Sequence, residues 1–205
     1  TNMAADTTNI LIVGVGVQGT LLASRVLAQA AVARGHDVKV SEIHGMAQRG
    51  GSVVSQVRYG PKIFSPIIKR GDADVIMAFE KLEAARYLPY LKKGGLMVIN
   101  TDRIDPLPVM SGEVGYPEKL EEKIAQVVPK TMTLDATGIA AGCGTSRAAN
   151  IVLVGLVGRA LGFPLDSLEE AVRVLVPAKV VDINIKALNA GWNYLDNSLI
   201  SMVRD

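Results

Sequence analysis

The apolar run Ile10-Leu11-Ile12-Val13 leads straight into Gly14-Val15-Gly16-Val17-Gln18-Gly19, and this join constrains the fold more than anything else in the chain. A buried strand that ends in G-x-G-x-x-G drops into a tight turn and re-emerges as a helix. On this reading Gly14 permits the turn and Gly16 clears space for a ligand. Gly19 lets helix and strand pack closely. The helix N-terminus then offers backbone N–H donors and a partial positive charge, which suit a phosphate or carboxylate. Context matters, because the glycine pattern alone is weak. Here an amphipathic helix is expected over about Val17–Arg34 and a second strand over Asp37–Ile43, which completes a Rossmann-like βαβ opening.

A dinucleotide site would require an acidic residue near the end of that second strand to hold the ribose hydroxyls, and Glu42 is the candidate. Acids at exposed strand ends are common, so the plainer reading of Glu42 is a solvated rim carboxylate. The next segment is unlike a dehydrogenase: His44-Gly45-Met46-Ala47-Gln48-Arg49-Gly50-Gly51 is a glycine-rich loop carrying a fixed cation. The Arg49 guanidinium has the planar fork for bidentate contact with a phosphate or carboxylate, and its glycine neighbours favour a ligand or subunit role over a local ion pair. His44 has no acid partner visible in sequence, so a structural hydrogen bond is expected of it. Gln18 is expected either to donate to a ligand or to fix the Arg49 loop.

Taken together, Gly14–Gly19, Glu42-Ile43-His44-Gly45-Met46-Ala47-Gln48-Arg49-Gly50-Gly51 and Val57-Arg58 resemble the gamma-type subunits of 2-oxoacid:ferredoxin oxidoreductases. Within that family the H-G-M-x-Q-R-G-G form is most similar to the beta subunit of indolepyruvate ferredoxin oxidoreductases, and the likeness runs from about Asn9 to Leu195. The resemblance implies a non-catalytic small subunit. Thiamine diphosphate and iron–sulfur clusters would sit on a large partner subunit, and ferredoxin would take the electrons. Coenzyme A (CoA) would bind at the subunit interface. The assembled reaction would be oxidative decarboxylation of indolepyruvate and other aryl pyruvates to aryl-acetyl-CoA. The cofactor-binding candidates on this chain are then Gly14, Gly16, Gln18, Gly19, Gln48, Arg49, Gly50 and Gly51.

Cysteine usage limits the chemistry. Cys143 is the only cysteine, which rules out a disulfide framework or a thiolate-ligated cluster on this chain alone, and two histidines, His36 and His44, make no paired metal motif. In Ala140-Ala141-Gly142-Cys143-Gly144, the thiol reads as a packing residue rather than a nucleophile. No nucleophile–base pair is apparent, so no catalytic residue is assigned. With 22 basic and 20 acidic residues there is no basic footprint for nucleic acid, and 4 % aromatics leave few stacking platforms. No uninterrupted apolar span is long enough for a membrane helix and no signal-peptide pattern appears, so a cytoplasmic address is expected. The mean hydropathy of +0.27 fits a parallel sheet covered on both faces, together with surface buried against a partner.

The remaining pattern alternates strands and helices. Ser52–Tyr59 is expected as a strand that continues through Gly60-Pro61 into an extended Lys62–Ile68 excursion, an antiparallel hairpin added to the core. Strands are expected at Asp74–Phe79, Leu96–Asn100 and Thr131–Asp135. Helices are expected at Glu80–Leu91, terminated by Lys92-Lys93-Gly94-Gly95, and at Glu118–Val127. Thr101–Gly115 is too rich in proline for a regular element. Asp135 and Thr137 would lie on the carboxyl-end rim of the sheet, where open α/β sheets bind ligands. Thr145–Leu161 reads as a long helix whose Gly155 and Gly158 allow close packing. Asp166 and Glu169 have capping-box spacing, and Val180–Val203 reads as a terminal helix with a stripe of Ile185, Leu188, Trp192 and Leu195. Trp192 is either a core or an interface anchor. The expected fold is a single α/β domain over residues 1–205: a three-layer, Rossmann-like, mainly parallel sheet with a hairpin excursion and a helical C-terminal part. Two other functions remain open at this stage, a stand-alone NAD(P)-binding oxidoreductase using Glu42 and a nucleotide-sensing interaction module.

Overall fold

The fold was taken from a computed structural model, which describes residues 7–16, 18–44 and 51–195. Strand β1 (Thr8–Val15) feeds helix α1 (Thr20–Ala33), which returns to β2 (Asp37–His44). β3 (Ser52–Gly60) comes next, then β4 (Ala73–Ala78), α2 (Lys81–Tyr87) and β5 (Leu91–Asn100). One helical turn, α3 (Leu107–Met110), interrupts the proline-rich loop before α4 (Leu120–Val127) and β6 (Thr131–Leu134). Four helices close the described chain: α5 (Ala136–Cys143), α6 (Ala149–Ala160), α7 (Leu165–Leu175) and α8 (Val181–Tyr194).

The six strands form one sheet in the order β2-β3-β1-β4-β5-β6. The pairings β1–β4, β4–β5 and β5–β6 are parallel, whereas β3 runs antiparallel to both its neighbours. Side-chain alternation along β1 explains the layers. Ile10 and Ile12 face a core shared with α1, α5, α6, α7 and α8, while Leu11 and Val13 face a second core under α2 and α4. All four are 0–1 % exposed, so the strand reads as an unbroken apolar run instead of alternating with polar residues. The expected mainly parallel, three-layer α/β sheet is what forms.

Several expectations about individual elements are corrected. β3 is not an added hairpin: it is inserted between β2 and β1, in register from Thr8↔Tyr59 to Val15↔Ser52 on one side and from Asp37↔Gly60 to His44↔Val53 on the other. Val53, Val54, Val57 and Tyr59 are buried, as suits a strand paired along both edges. Lys62–Ile68 joins no strand. It is held instead by side chains, with Arg58 Nη1 donating to the Ser65 carbonyl at 2.8 Å and Gln56 Oε1 accepting from Ile68 N at 2.6 Å.

Helix α2 stops at Tyr87 and a 3-10 turn at Leu88–Tyr90 carries the chain into β5, so Lys92-Lys93-Gly94-Gly95 belongs to a strand and caps no helix. The sequence pattern marks no helix between Asp135 and Thr145, yet α5 forms there because Asp135 caps it, its Oδ1 accepting from Gly138 N at 2.7 Å. Gly144, at φ 128°, then breaks the chain before α6. The Asp166 capping box does not form, since α7 starts at Leu165 behind Pro164 and Asp166 lies within the first turn.

The glycines of the C-terminal part do permit close packing. A Cβ on Gly155 would lie 2.1 Å from the Leu188 carbonyl oxygen, one on Gly191 1.8 Å from that of Val152, and one on Gly158 2.5 Å from Leu168 Cδ1. α6 and α8 therefore touch backbone to backbone. Leu188 and Leu195 of the apolar stripe are fully buried. Trp192 is half-buried beside Arg159, whose guanidinium sits 5.7 Å from the ring centroid and donates to the Trp192 carbonyl at 2.8 Å.

Candidate functional site

The glycine motif is assembled by one side chain. Gln18 Oε1 accepts from Val15 N at 2.8 Å, and its Nε2 donates to the Phe79 carbonyl at 3.2 Å, so Gln18 ties the ends of β1 and β4 together. Both functional groups of the amide are thus engaged by backbone, and the side chain also lines the hollow beside the turn. Gly14 turns out to be a strand residue. A Cβ there would stand 3.0 Å from Gln18 Oε1 and 3.2 Å from Phe79 Cβ, so its role is close packing and not the turn. Positive φ is supplied by Gly16 (54°) and Gly19 (87°). Gly19 is the N-cap of α1 and meets Asn150 on α6: a Cβ would lie 2.5 Å from Asn150 Nδ2. The close approach expected at Gly19 is therefore to another helix, not to the strand.

Gly16 N donates to the Gly51 carbonyl at 3.0 Å, which brings the end of the second glycine motif onto the first. Gly14, Gly16, Gln18, Gly19 and Gly51 accordingly share one end of the sheet. Gln48, Arg49 and Gly50 lie outside the described residues, as does the side chain of His44. Gly16's own N–H is consumed internally. The first turn of α1 has no acidic residue and no side-chain cap, so the positive end of its dipole is not offset locally.

Beside this turn, the carboxyl ends of β1, β4, β5 and β6 and the start of α6 enclose a hollow of about 470 Å³. Asn100, 1 % exposed, is its hub. Its Nδ2 lies 3.3 Å from both the Phe79 carbonyl and Thr137 Oγ1, and its Oδ1 accepts from Ala136 N at 2.9 Å. Thr137 Oγ1 donates onward to Asp102 Oδ2 at 2.8 Å. Asp102 and Arg147 are the charged residues lining the hollow, and Ser146 adds an exposed hydroxyl. The Arg147 guanidinium makes no hydrogen bond or ion pair with the other described residues. The hollow thus pairs an available cation with a carboxylate over a rigid amide floor, which suits an anionic group attached to a hydrogen-bonding body.

Asp135 and Thr137 both fall on the expected rim, directly after β6; Thr137 lines the hollow, whereas Asp135 serves as the cap of α5. Asn100, Asp102, Arg147 and Asn150 were missed. Asn100 carried a signal, a lone amide closing the apolar run Leu96-Met97-Val98-Ile99, and so did Asn150 before Ile151-Val152-Leu153. Arg147 carried none.

An excursion over residues 101–116 rises from the same rim and is pinned by Glu80. This fully buried carboxylate accepts from Glu83 N at 3.0 Å, from Ile104 N at 3.3 Å and from the Tyr116 hydroxyl. Burial, then the hydrogen bond to Glu80, pushes the Tyr116 phenol well above its ordinary range. Arg103 covers the Tyr116 ring at 4.4 Å and forms a two-pronged pair with Asp105, which holds the Asp105 carboxyl below its usual value.

Glu42 ends β2, but β3 separates β2 from β1, so Glu42 stands two strand spacings from the glycine turn, about 9–10 Å, instead of one. Cys143 is partly buried at the end of α5 against the larger core. Among the described residues no group of three or more His, Cys, Asp or Glu is placed to hold a metal ion, and no helix is long and apolar enough to cross a membrane.

Comparison with known proteins adds a family to this geometry. The model of the pyruvate ferredoxin/flavodoxin oxidoreductase family matches residues 9–194. Indolepyruvate oxidoreductase subunit IorB of Pyrococcus horikoshii is 42 % identical over 190 residues, which cover 89 % of this chain and 93 % of that protein. The crystal structure of the keto/oxoacid ferredoxin oxidoreductase gamma subunit of Geobacter sulfurreducens superposes with a TM-score of 0.68 at 26 % identity, over 91 % of this chain and 96 % of that one. The same fold occupies 32 % of a chain of the Magnetococcus marinus 2-oxoglutarate:ferredoxin oxidoreductase, described with 2-oxoglutarate, coenzyme A and succinyl-CoA bound (TM-score 0.69, 18 % identity, 93 % of this chain).

Proposed function

The chain belongs to the pyruvate ferredoxin/flavodoxin oxidoreductase family, and from that premise we propose that it is the small subunit of an indolepyruvate:ferredoxin oxidoreductase. The complex would oxidatively decarboxylate indolepyruvate and other aryl pyruvates to aryl-acetyl-CoA and pass the electrons to ferredoxin. The observation that carries this reading is the 42 % identity to an indolepyruvate oxidoreductase subunit, sustained over 93 % of that subunit.

The chain's own residues fit the role of a partner better than that of a catalyst. A lone, partly buried thiol cannot ligate an iron–sulfur cluster, which needs several thiolates, so the clusters and thiamine diphosphate are assigned to the large subunit. CoA is a different matter. The crevice beside the glycine turn holds Arg147 and Ser146 as available donors, and the uncapped start of α1 favours negative charge nearby. The Magnetococcus marinus enzyme, a chain of which contains this fold, is described with CoA bound. We assign CoA to the rim, at the interface with the large subunit, beside Gly16, Gly19 and Gly51, with Gln48, Arg49 and Gly50, which precede Gly51 in the sequence, as further candidates to contact it. A cytoplasmic complex is the setting that a ferredoxin partner implies.

The test is reconstitution. Alone, the purified chain should reduce no viologen dye with indolepyruvate and CoA, and addition of the cognate large subunit should give turnover. Robust dye reduction by this chain alone, or full activity of the large subunit without it, would sink the proposal.

A further inference from the structure

The Lys92-Lys93-Gly94-Gly95 stretch is not needed to end a helix, and its actual setting suggests another use. Ala73 of β4 pairs with Leu91, but Val75 pairs with Leu96, so a single β4 residue, Asp74, faces four residues of β5. Lys92–Gly95 therefore bulges out of the ladder at its amino end, with Gly94 at φ 76° and open space where its Cβ would be. Bulges of this kind re-aim side chains and recur next to functional surfaces. Here the bulge divides two hollows of about 630 Å³ each, both lined by Lys92, Gly94 and Lys130. The first, with Arg34 and residues 160–162, lies in the layer of α1 and α6; the second, a groove with Leu88, Leu91 and residues 127–130, lies in the layer of α2 and α4, at the far end of the strands from the crevice.

The groove has two characters. One half is apolar, floored by Leu88, Leu91, Val127 and Pro129, with Val127 68 % exposed. The rim is basic: Lys92, Lys93 and Lys130 line it, and Lys69 and Arg70 lie alongside, since Gly71 N donates to the Pro89 carbonyl at 3.1 Å and the Arg70 guanidinium covers the Tyr90 ring at 5.9 Å. Of these, Lys92 is paired with Asp74, which also accepts from Asn9 N. A chain whose net charge is only +2 thus concentrates positive charge around one apolar-floored groove.

We propose that this groove docks an acidic, apolar-anchored segment of the large partner subunit, with carboxylates on the lysine rim and an apolar side chain on the Leu91–Val127 floor. This rests on the subunit reading above. Charge complementarity selects the acidic partner, and the apolar floor selects a protein segment over a small anion. Docking at the amino ends also leaves the carboxyl-end crevice, one strand length away, open to ligand.

The experiment measures assembly of the purified chain with the co-expressed large subunit by interferometry over a range of salt. Wild type should bind with a steep salt dependence. Lys93→Glu with Arg70→Glu should weaken binding on the order of tenfold at low salt and flatten that dependence. Val127→Asp, an exposed change, should weaken it comparably, while Val174→Asp, an exposed change on α7 away from both ends of the strands, should not; unchanged thermal melts show that each variant is folded. If wild type does not bind the large subunit at all, the subunit reading falls and this proposal with it. If wild type binds and the groove variants bind equally well, only the docking proposal is wrong. Self-association of the wild type that is lost in Val127→Asp, without effect on the large subunit, would assign the groove to a second copy and overturn it too.

Discussion

Gly16 donates its backbone N–H to the carbonyl of Gly51 at 3.0 Å, and this one bond joins two glycine motifs that lie far apart along the chain. It is a consequence of the sheet order. Because β3 lies against β1 with Val15 opposite Ser52, the residue before Ser52 must arrive at the turn that leaves Val15. The bond also alters the chemistry of the turn: it uses a donor that a dinucleotide-binding loop would aim at pyrophosphate and sets a carbonyl oxygen in its place. A second anchor supports the arrangement, since Ser52 Oγ donates to the buried Glu83 carboxylate at 2.5 Å.

The α6–α8 contact provides a stability prediction. A methyl on Gly191 would overlap the Val152 carbonyl at 1.8 Å, and backbone cannot yield as a flexible side chain can. Gly191→Ala should destabilise by about 3 kcal/mol, lowering the melting temperature by roughly 6–12 °C. Gly142→Ala, in α5 with nothing within 4 Å of where a Cβ would sit and no positive φ, should instead leave the melt unchanged or raise it by about 2 °C.

Glu80 and Tyr116 predict an alkaline limit. Glu80→Ala orphans two backbone N–H groups and a phenol, and should cost about 3 kcal/mol in denaturant unfolding. The Tyr116 phenol is raised in the folded state above its ordinary 10.0, mainly by burial. Below pH 10 both states hold the proton and stability is indifferent to pH. Above it, the unfolded chain loses the proton while the folded one keeps it, so this group's contribution falls as pH rises until the folded phenol itself ionises. Tyr59 is shifted the same way, also by burial, and adds to the slope. Tyr116→Phe should therefore flatten the loss of stability above pH 10 and remove a late phenolate from the absorbance titration.

Strand positions were legible because both faces of the sheet are covered, which writes β1, β4 and the end of β5 as plain apolar runs. Strand order was not. Nothing local distinguishes a β3 that pairs outside β2 from one inserted between β2 and β1; the difference is set by which long-range pairing buries Val53 and Val57 better. The site divided in the same way. Gly16 and Gly19 are forced by backbone conformation, so the motif found them, whereas Arg147 reaches the crevice only because Gly144 and a 3-10 turn at Ser146–Ala148 redirect the chain between α5 and α6. That redirection leaves no periodic trace.

Sheet order also predicts the fate of the dinucleotide reading. Glu42 would need to reach across β3 to a ribose seated over the glycine turn, and Gly16 has no N–H left to offer a pyrophosphate. Calorimetry should detect no saturable NADH binding to the chain. Micromolar binding that is abolished in Glu42→Ala would restore a nicotinamide-dependent oxidoreductase in place of the subunit.

The anion site is the sharpest test of the proposed CoA assignment. Arg147 is the cation that the described crevice offers, its guanidinium with no hydrogen-bonding partner among the described residues, and Arg49 is the cation that stands two residues before Gly51 in the sequence. A lost charge-assisted contact costs about 1.5–3 kcal/mol, or on the order of tenfold to a hundredfold in affinity. In the reconstituted complex, Arg147→Ala and Arg49→Ala should each raise the apparent KM for CoA by about that factor, leaving the KM for indolepyruvate little changed. Gly16→Val should move the same parameter, because a β-branched residue cannot adopt φ 54° without strain and the turn must shift. If Arg49→Ala instead abolishes assembly while Arg147→Ala leaves the CoA dependence untouched, the rim is an interface between subunits and CoA binds elsewhere.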